Sequence, residues 1–333
     1  MEKSMTRICF IIPYFGTLPN YFNYWLESVK CNSTIDFIIF TNDKTKYAYP
    51  KNVKVFYMEF EQLRGKIQKK FDFEISLDSP YKLCDFKPTY GYVFSEYLRD
   101  YDFWGHCDID LIFGNIRSFF SEEIFEKYDK LLTYGHCELY RNTPEINQAF
   151  MNDNPPFVSY RVVLSSPAIW AFDESTSPIN RSIWNRKRQY KANVFVDLWP
   201  RFKNLVDVKL KKNCVFVLEK GDLYEVYDSG ERTVLYAHFK KRKIECKNGI
   251  GENIFLTPYG IGYTNASKRD CFRKEGCVSS LWKYNYFNHY KKIISNAFAL
   301  LYFVLLKRYP RKHFLMWSRL SNEIIWKKYY ARK

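Results

Sequence analysis

The first seventy residues alternate apolar runs of strand length with stretches of helical spacing, and few folds accept that alternation. Arg7–Pro13 is an Ile-rich run closed by the turn formers Pro13 and Gly16. Asn20–Lys30 then places Tyr21, Tyr24, Trp25 and Val29 roughly at helical spacing. Ile35–Phe40 and Val53–Met58 are two further apolar runs, and Phe60–Phe71 is helical again. Strands that alternate with helices build a parallel α/β sheet, because parallel neighbours need a crossover connection. Ligands of such sheets sit beyond the carboxyl ends of the strands, so the residues that follow each apolar run are the candidates for chemistry.

Asp85-Phe86-Lys87-Pro88 reads as a helix start, with Asp at the N-cap and Pro in the first turn, and the helix is expected to run to about Arg99. The segment from Asp102 to Asp110 then reads as a central strand entering an acidic tip. Leu131–Tyr134, Ile169–Phe172, Cys214–Leu218 and Thr233–Phe239 are expected to be further strands, with loops at 152–159 and 173–182 and a basic stretch, Arg181–Lys191, suited to covering a site. The nine cysteines form no C-x-x-C pair, and several lie in apolar runs, as reduced, buried cysteines do. That usage points to a cytoplasmic protein. The short apolar run at the N-terminus ends at Pro13 without a small-residue cleavage site, and reads as a first strand rather than a signal peptide.

Asp108-Ile109-Asp110 is the most informative tripeptide. On an extended backbone residues i and i+2 face one side, so both carboxylates point into one pocket while Ile109 packs away from it. Paired carboxylates suit Mg²⁺ or Mn²⁺, and such an ion can neutralise a departing diphosphate. Asp100-Tyr101-Asp102 has the same spacing but precedes the apolar strand, at the end away from ligands. The competing reading of Asp108 and Asp110 is a solvated or helix-capping pair. A second signal is Val234–Lys243, an apolar run ending in His238 and the basic residues Lys240, Lys241 and Arg242. His238 can complete a metal site, and the cations can hold phosphate oxygens; the plainer alternative is a basic surface loop. His106, His136, His289 and His313 read as structural or surface histidines. Phe172-Asp173-Glu174 supplies the best candidates for an acceptor-binding or general-base carboxylate, Asp173 and Glu174, against the plainer reading of a loop; Asp197 is a weaker one.

The formal charge of +16 is unevenly placed. Residues 281–333 hold twelve Lys/Arg and one acid, Glu323. Within them Ile293–Leu306 is apolar and would make a helix about 21 Å long, short of the roughly 30 Å hydrocarbon core. With cationic flanks and nearby Trp and Tyr it reads as an interfacial anchor on an anionic membrane, the alternative being a helix docked on the body. A nucleic-acid-binding protein or nuclease is the first rival class, suggested by charge and aromatics; the near-balanced first 280 residues oppose it, and no nucleic-acid partner is expected. A non-catalytic membrane-associated scaffold is the second rival.

Asp-x-Asp after an apolar strand, an N-terminal α/β half and a late His-basic cluster together resemble GT-A fold glycosyltransferases. More narrowly, Ile11–Gly16, Tyr81–Pro88, Asp102–Gly114 and Ala237–Lys243 resemble, in that order, a little-characterised bacterial family associated with capsule and lipopolysaccharide biosynthesis. The likeness spans roughly residues 7–260. It implies a GT-A-like (Rossmann-like) α/β fold, a mixed but mostly parallel sheet flanked by helices, with a helical basic C-terminal extension. The catalytic domain would span 1–262, with a nucleotide-sugar half (1–120) and an acceptor half (121–262); residues 263–333 would form the tail. It implies a metal-dependent hexosyltransferase-like enzyme that takes a nucleotide-diphosphate sugar and extends a glycan or lipid-linked glycan on the inner face of the bacterial plasma membrane. Residue by residue, it implies that Asp108, Asp110 and His238 bind Mn²⁺ or Mg²⁺, with Asp108 also reaching the ribose. It places Lys240, Lys241 and Arg242 near the diphosphate, Asp85 and Lys87 near the donor sugar, and Pro13, Tyr14, Phe15 and Asp43 at the nucleotide. Asn42 stands where the family commonly has an acid and receives no role.

Overall fold

The structure, a computed structural model, describes residues 5–152, 159–173, 188–190, 194–198, 205–207, 212–240 and 243–275. Glu174, Lys241, Arg242, the stretch 181–187 and the basic tail with its apolar segment 293–306 lie outside them. The strands are β1 (Ile8–Pro13), β2 (Ile35–Thr41), β3 (Val53–Tyr57), β4 (Phe103–Cys107), β5 (Leu111–Phe113), β6 (Lys130–Tyr134), β7 (Cys137–Arg141) and β8 (Gln189–Tyr190). They are followed by β9 (Val196–Asp197), β10 (Val206–Asp207), β11 (Lys212–Glu219), β12 (Asp222–Tyr227), β13 (Gly230–Val234), β14 (Tyr236–His238), β15 (Asn253–Thr257) and β16 (Gly260–Thr264).

The protein is a mixed α/β fold built on a seven-stranded sheet of order β3-β2-β1-β4-β7-β6-β8. The four strands from β3 to β4 are parallel, β7 runs against β4, and β6 and β8 complete the far side. The apolar run of β1 shows no polar alternation because both of its faces are covered. Ile8, Phe10 and Ile12 enter one core, while Cys9 and Ile11 enter the other. Helix α1 (Phe22–Lys30) covers the first face through Phe22, Trp25, Leu26 and Val29, the i, i+3, i+4, i+7 stripe of an amphipathic helix. Helix α2 (Phe60–Gln68) covers the second through Leu63 and Ile67, its start fixed by a Glu59–Gln62 capping box. Gly105 stands mid-β4 where a Cβ would come within 2.6 Å of the Glu138 carbonyl and 2.8 Å of the Phe10 ring, so the strand packs only as glycine.

The second half adds an antiparallel sheet, β13-β12-β11-β15-β16 with β10 on β11, and a small sheet of order β5-β14-β9. All eight described cysteines are free thiols. Among the described residues no helix is long and apolar enough to cross a membrane.

Three local expectations are corrected. Asp85 does not cap a helix that runs to Arg99: it lies inside a 3-10 helix, Pro80–Thr89, followed by the short turns Tyr90–Val93 and Ser95–Tyr97. Ile169–Phe172 is not a strand, because the N–H groups of Trp170 and Phe172 are taken by the Asp85 carboxylate and Ala171 sits at φ +52°. The run 233–239 is two strands broken at Leu235, one in each of the smaller sheets.

Candidate metal and phosphate site

β4 ends at Cys107, and the chain bends through Asp108, Ile109 and Asp110 into β5. Ile109 is buried and anchors this bend in the core beneath β1. The Asp108 N–H donates to the His136 carbonyl (2.8 Å), and the Asp110 carbonyl accepts from the Phe239 N–H (3.1 Å). β14 pairs antiparallel with β5 so that His238 stands opposite Leu111. Strand register therefore delivers the imidazole beside the acidic bend. One ligand atom from each of Asp108, Asp110 and His238 lies within 4.8 Å of the others, and His238 Nε2 is 3.4 Å from Asp110 Oδ1. Burial lowers the His238 pKa, but its bonds to Asp110 and Asp197 outweigh burial and raise it to about 9.

Two cations border these groups. Lys87 Nζ donates to Asp108 Oδ1 (2.7 Å), to the Gly135 carbonyl (2.7 Å) and to Asp173 Oδ2 (3.1 Å). Burial opposes its charge, yet Asp108 and Asp173 more than offset that and keep the ammonium protonated well above its ordinary range. Asp173, 7% exposed, is thus brought to the acidic bend by a turn rather than a strand end. Lys240 does not share a side with His238 on an extended strand. The chain turns there at φ +39°, and Lys240 Nζ pairs with Asp197 Oδ2 at 2.6 Å. Leu132 (φ +67°) and Ala171 (φ +52°) add two more left-handed residues in the segments that carry Gly135–His136 and Asp173. Strain of this kind is costly for a residue with a Cβ and collects at functional sites.

Pro13 closes β1, and Tyr14 and Phe15 follow it with different fates. The Tyr14 phenol is raised by burial first, and then by the charges of Asp110 and Asp43. Phe15 is buried in the core against Phe60. Asp43 accepts the N–H groups of Leu18 (2.7 Å) and Thr45 (2.9 Å), tying the loops after β1 and β2 together. Asp85 is 0% exposed and fully engaged with Lys82, Trp170 and Phe172, so it supports the Asp173 turn from behind. His136, read from sequence as structural, is inside the site. Its ring lies 4.3 Å from that of His238, its Nδ1 meets the Tyr236 hydroxyl (3.0 Å), and it forms a second close group with Asp197 and His238. Burial holds it neutral, its pKa well below the ordinary value. The adjacency of Gly135-His136 to a predicted strand end was its one sequence signal. The Tyr21 phenol is raised by burial and by Asp110, and its ring meets that of Phe239 edge-on at 5.0 Å.

The family described as "Family of unknown function (DUF6625)" matches residues 10–264. A search of curated proteins returns no match. Solved structures with similarity include the galactosyltransferase LgtC in complex with donor and acceptor sugar analogues, at 11% identity and TM-score 0.35, covering 71% of this chain and 87% of that one. The glycosyltransferase GlyE of Streptococcus pneumoniae TIGR4 follows at 11% identity and TM-score 0.29, covering 57% of this chain and 46% of GlyE. Mouse xyloside xylosyltransferase 1 is similar at 9% identity and TM-score 0.31, covering 60% of this chain and 89% of that one.

Proposed function

The chain belongs to the DUF6625 family, whose description assigns no function, and from its site we propose a metal-dependent glycosyltransferase that uses a nucleotide-diphosphate sugar. One observation carries this reading: Asp108, Asp110 and His238, drawn from distant segments, converge beside Lys87 beyond the carboxyl end of the parallel strand β4. The donor set fits a divalent ion, since two carboxylates and an imidazole suit Mn²⁺, and Mg²⁺ when water completes the shell. Bound there by Asp110, His238 and Asp108, the ion would supply positive charge to a leaving diphosphate.

The chain's own residues supply the rest. Lys87, held protonated between two carboxylates, adds fixed positive charge where negative charge develops, and being in place beforehand it needs no reorganisation. Lys241 and Arg242 follow His238 in the sequence and are assigned to the same anion. Tyr14 and Asp43, after β1 and β2, are assigned to the nucleoside, with Pro13 shaping the entry. Asp173, fixed by Lys87, is assigned to a sugar hydroxyl on the donor or acceptor side, with Glu174 next to it in sequence. Sequence likeness supports a glycan or lipid-linked acceptor of a bacterial surface polysaccharide, such as capsule, lipopolysaccharide or exopolysaccharide. The +11 charge of residues 281–333 supports peripheral attachment to the inner membrane face.

A thermal-shift screen of nucleoside diphosphates with and without Mn²⁺ tests the reading. One nucleotide is expected to raise the melting temperature only with Mn²⁺, and Asp110→Ala to abolish both the shift and donor hydrolysis. Full donor hydrolysis by Asp110→Ala at saturating Mn²⁺ would overturn it.

A further inference from the structure

His238 belongs to two groups of ligand atoms, one with Asp108 and Asp110 and one with His136 and Asp197. Which of the two it serves depends on its nitrogens. Nδ1 lies 3.0 Å from Asp197 Oδ1, and Nε2 lies 3.4 Å from Asp110 Oδ1. We infer that Asp197 is a positioning residue: it accepts the Nδ1 proton of His238 and so turns Nε2 toward the acidic bend as the ligand nitrogen. This rests on the metal site proposed above.

Three features converge on it. Asp197 Oδ1 faces His238 Nδ1 (3.0 Å) and Asp197 Oδ2 faces the Lys240 ammonium (2.6 Å), and a carboxylate ionised beside that ammonium accepts hydrogen bonds and donates none. Nδ1 must then carry the hydrogen. Second, β9 pairs in parallel with β14 so that Asp197 is the direct partner of His238, and the Leu198 N–H donates to the His238 carbonyl (2.8 Å). The backbone thus fixes carboxylate and imidazole relative to each other. Third, His238 and Lys240 already occupy both Asp197 oxygens. An ion between His136, Asp197 and His238 would have to break the Nδ1–Asp197 contact and stand beside the ammonium. The geometry selects a single ion on the Asp110 side, with the His136 ring tilted against that of His238. Carboxylates that hold a metal-binding histidine through its other nitrogen commonly matter 10–100-fold in metal affinity.

The test is a titration with Mn²⁺ alone, followed by electron paramagnetic resonance, on the full chain and four variants. One ion per chain is expected. Asp197→Asn should weaken Mn²⁺ binding about 10–100-fold with the melting temperature of the metal-free protein little changed. Asp197→Glu should recover part of the loss, Asp110→Ala should abolish binding, and His136→Gln should leave it near wild type. Unchanged affinity in Asp197→Asn, with Asp110→Ala inactive in binding, would sink the inference and leave the proposed metal site standing. Unchanged affinity in Asp110→Ala would sink that site itself. Two ions per chain, one of them lost in His136→Gln, would replace the inference with a nitrogen-rich site. Should Asp197→Asn fail to fold, ¹⁵N spectra of the unsubstituted protein with Mg²⁺ decide: a protonated Nε2 on His238 refutes the inference, a protonated Nδ1 upholds it.

Discussion

Lys82 Nζ and Asp85 Oδ2 lie 2.8 Å apart in the interior, with the two side chains 3% and 0% exposed. The ammonium also donates to the carbonyls of Val163 and Ala168, and the carboxylate accepts from the N–H groups of Trp170 and Phe172. The pair therefore staples the chain that leads to Asp173. Lys82→Met leaves a buried carboxylate uncompensated and is expected to cost about 3–5 kcal/mol. Urea titration should show the loss. Adding Asp85→Leu should recover part of the stability, but donor turnover should stay low because the Asp173 turn has lost its acceptor.

Gly135 is pressed against that turn. A Cβ there would come within 2.5 Å of Asp173 Oδ2 and 2.6 Å of its Cγ. Asp173 is held by Lys87 and has little room to rotate. Gly135→Ala is expected to cost roughly 1–3 kcal/mol through overpacking and to raise the KM for donor or acceptor, while Mn²⁺ affinity stays near wild type. Equal losses in both affinities would show that the strain spreads beyond Asp173.

Lys87→Met should move two affinities in opposite directions. The ammonium neutralises Asp108 at 2.7 Å and Asp173 at 3.1 Å. Without it the carboxylates attract a cation more strongly and an anion less. Mn²⁺ alone should bind several-fold tighter, and nucleoside diphosphate several-fold weaker, about tenfold for each 1.4 kcal/mol. Calorimetry with each ligand separately measures both signs. Weaker binding of both would place Lys87 in a purely structural role.

Glu138 makes stability depend on acid. It is fully buried opposite His106 (3.4 Å), bonded to Lys130 (2.6 Å) and to the Tyr140 hydroxyl. Burial alone would raise its pKa, but Lys130 and then His106 outweigh burial and depress it below the ordinary 4.5. A depressed carboxylate contributes stability above the unfolded value and loses it as pH falls through the folded one. Melting temperature should therefore be insensitive to this group at neutral pH and fall below about pH 4.5. Glu138→Gln should melt lower at pH 7, where Lys130 loses its counter-charge, and show a shallower acid slope. An unchanged slope would assign the acid transition elsewhere.

The parallel half was legible because each strand is an apolar run bounded by turn formers, as in Arg7–Pro13 and Ile35–Phe40. Asp108 and Asp110 were legible because their place after β4 set them at the ligand end. Other features depend on partners distant in sequence. Asp85 has the signature of an N-cap, yet its oxygens serve residues 170 and 172, so it is buried inside a 3-10 helix. The apolar run 169–172 forms no strand among the described residues, because its N–H groups at 170 and 172 go to Asp85. Asp197 carries no local pattern, and His136 only its place after a predicted strand end; the β9–β14 register and the close, tilted ring contact with His238 give them their roles. Lys240 has the composition of a phosphate ligand, but a left-handed turn commits it to Asp197.

The β5–β14 ladder joins Leu111 to His238 across more than a third of the length of the chain. Contacts of that sequence separation close late, because the loop entropy is lost before any bond rewards it. During synthesis the acidic bend would emerge long before its histidine, and a nascent chain would hold two carboxylates without their third partner. Ion capture should then accompany completion of the fold rather than precede it, so refolding kinetics followed by Mn²⁺ binding should lag the growth of secondary structure.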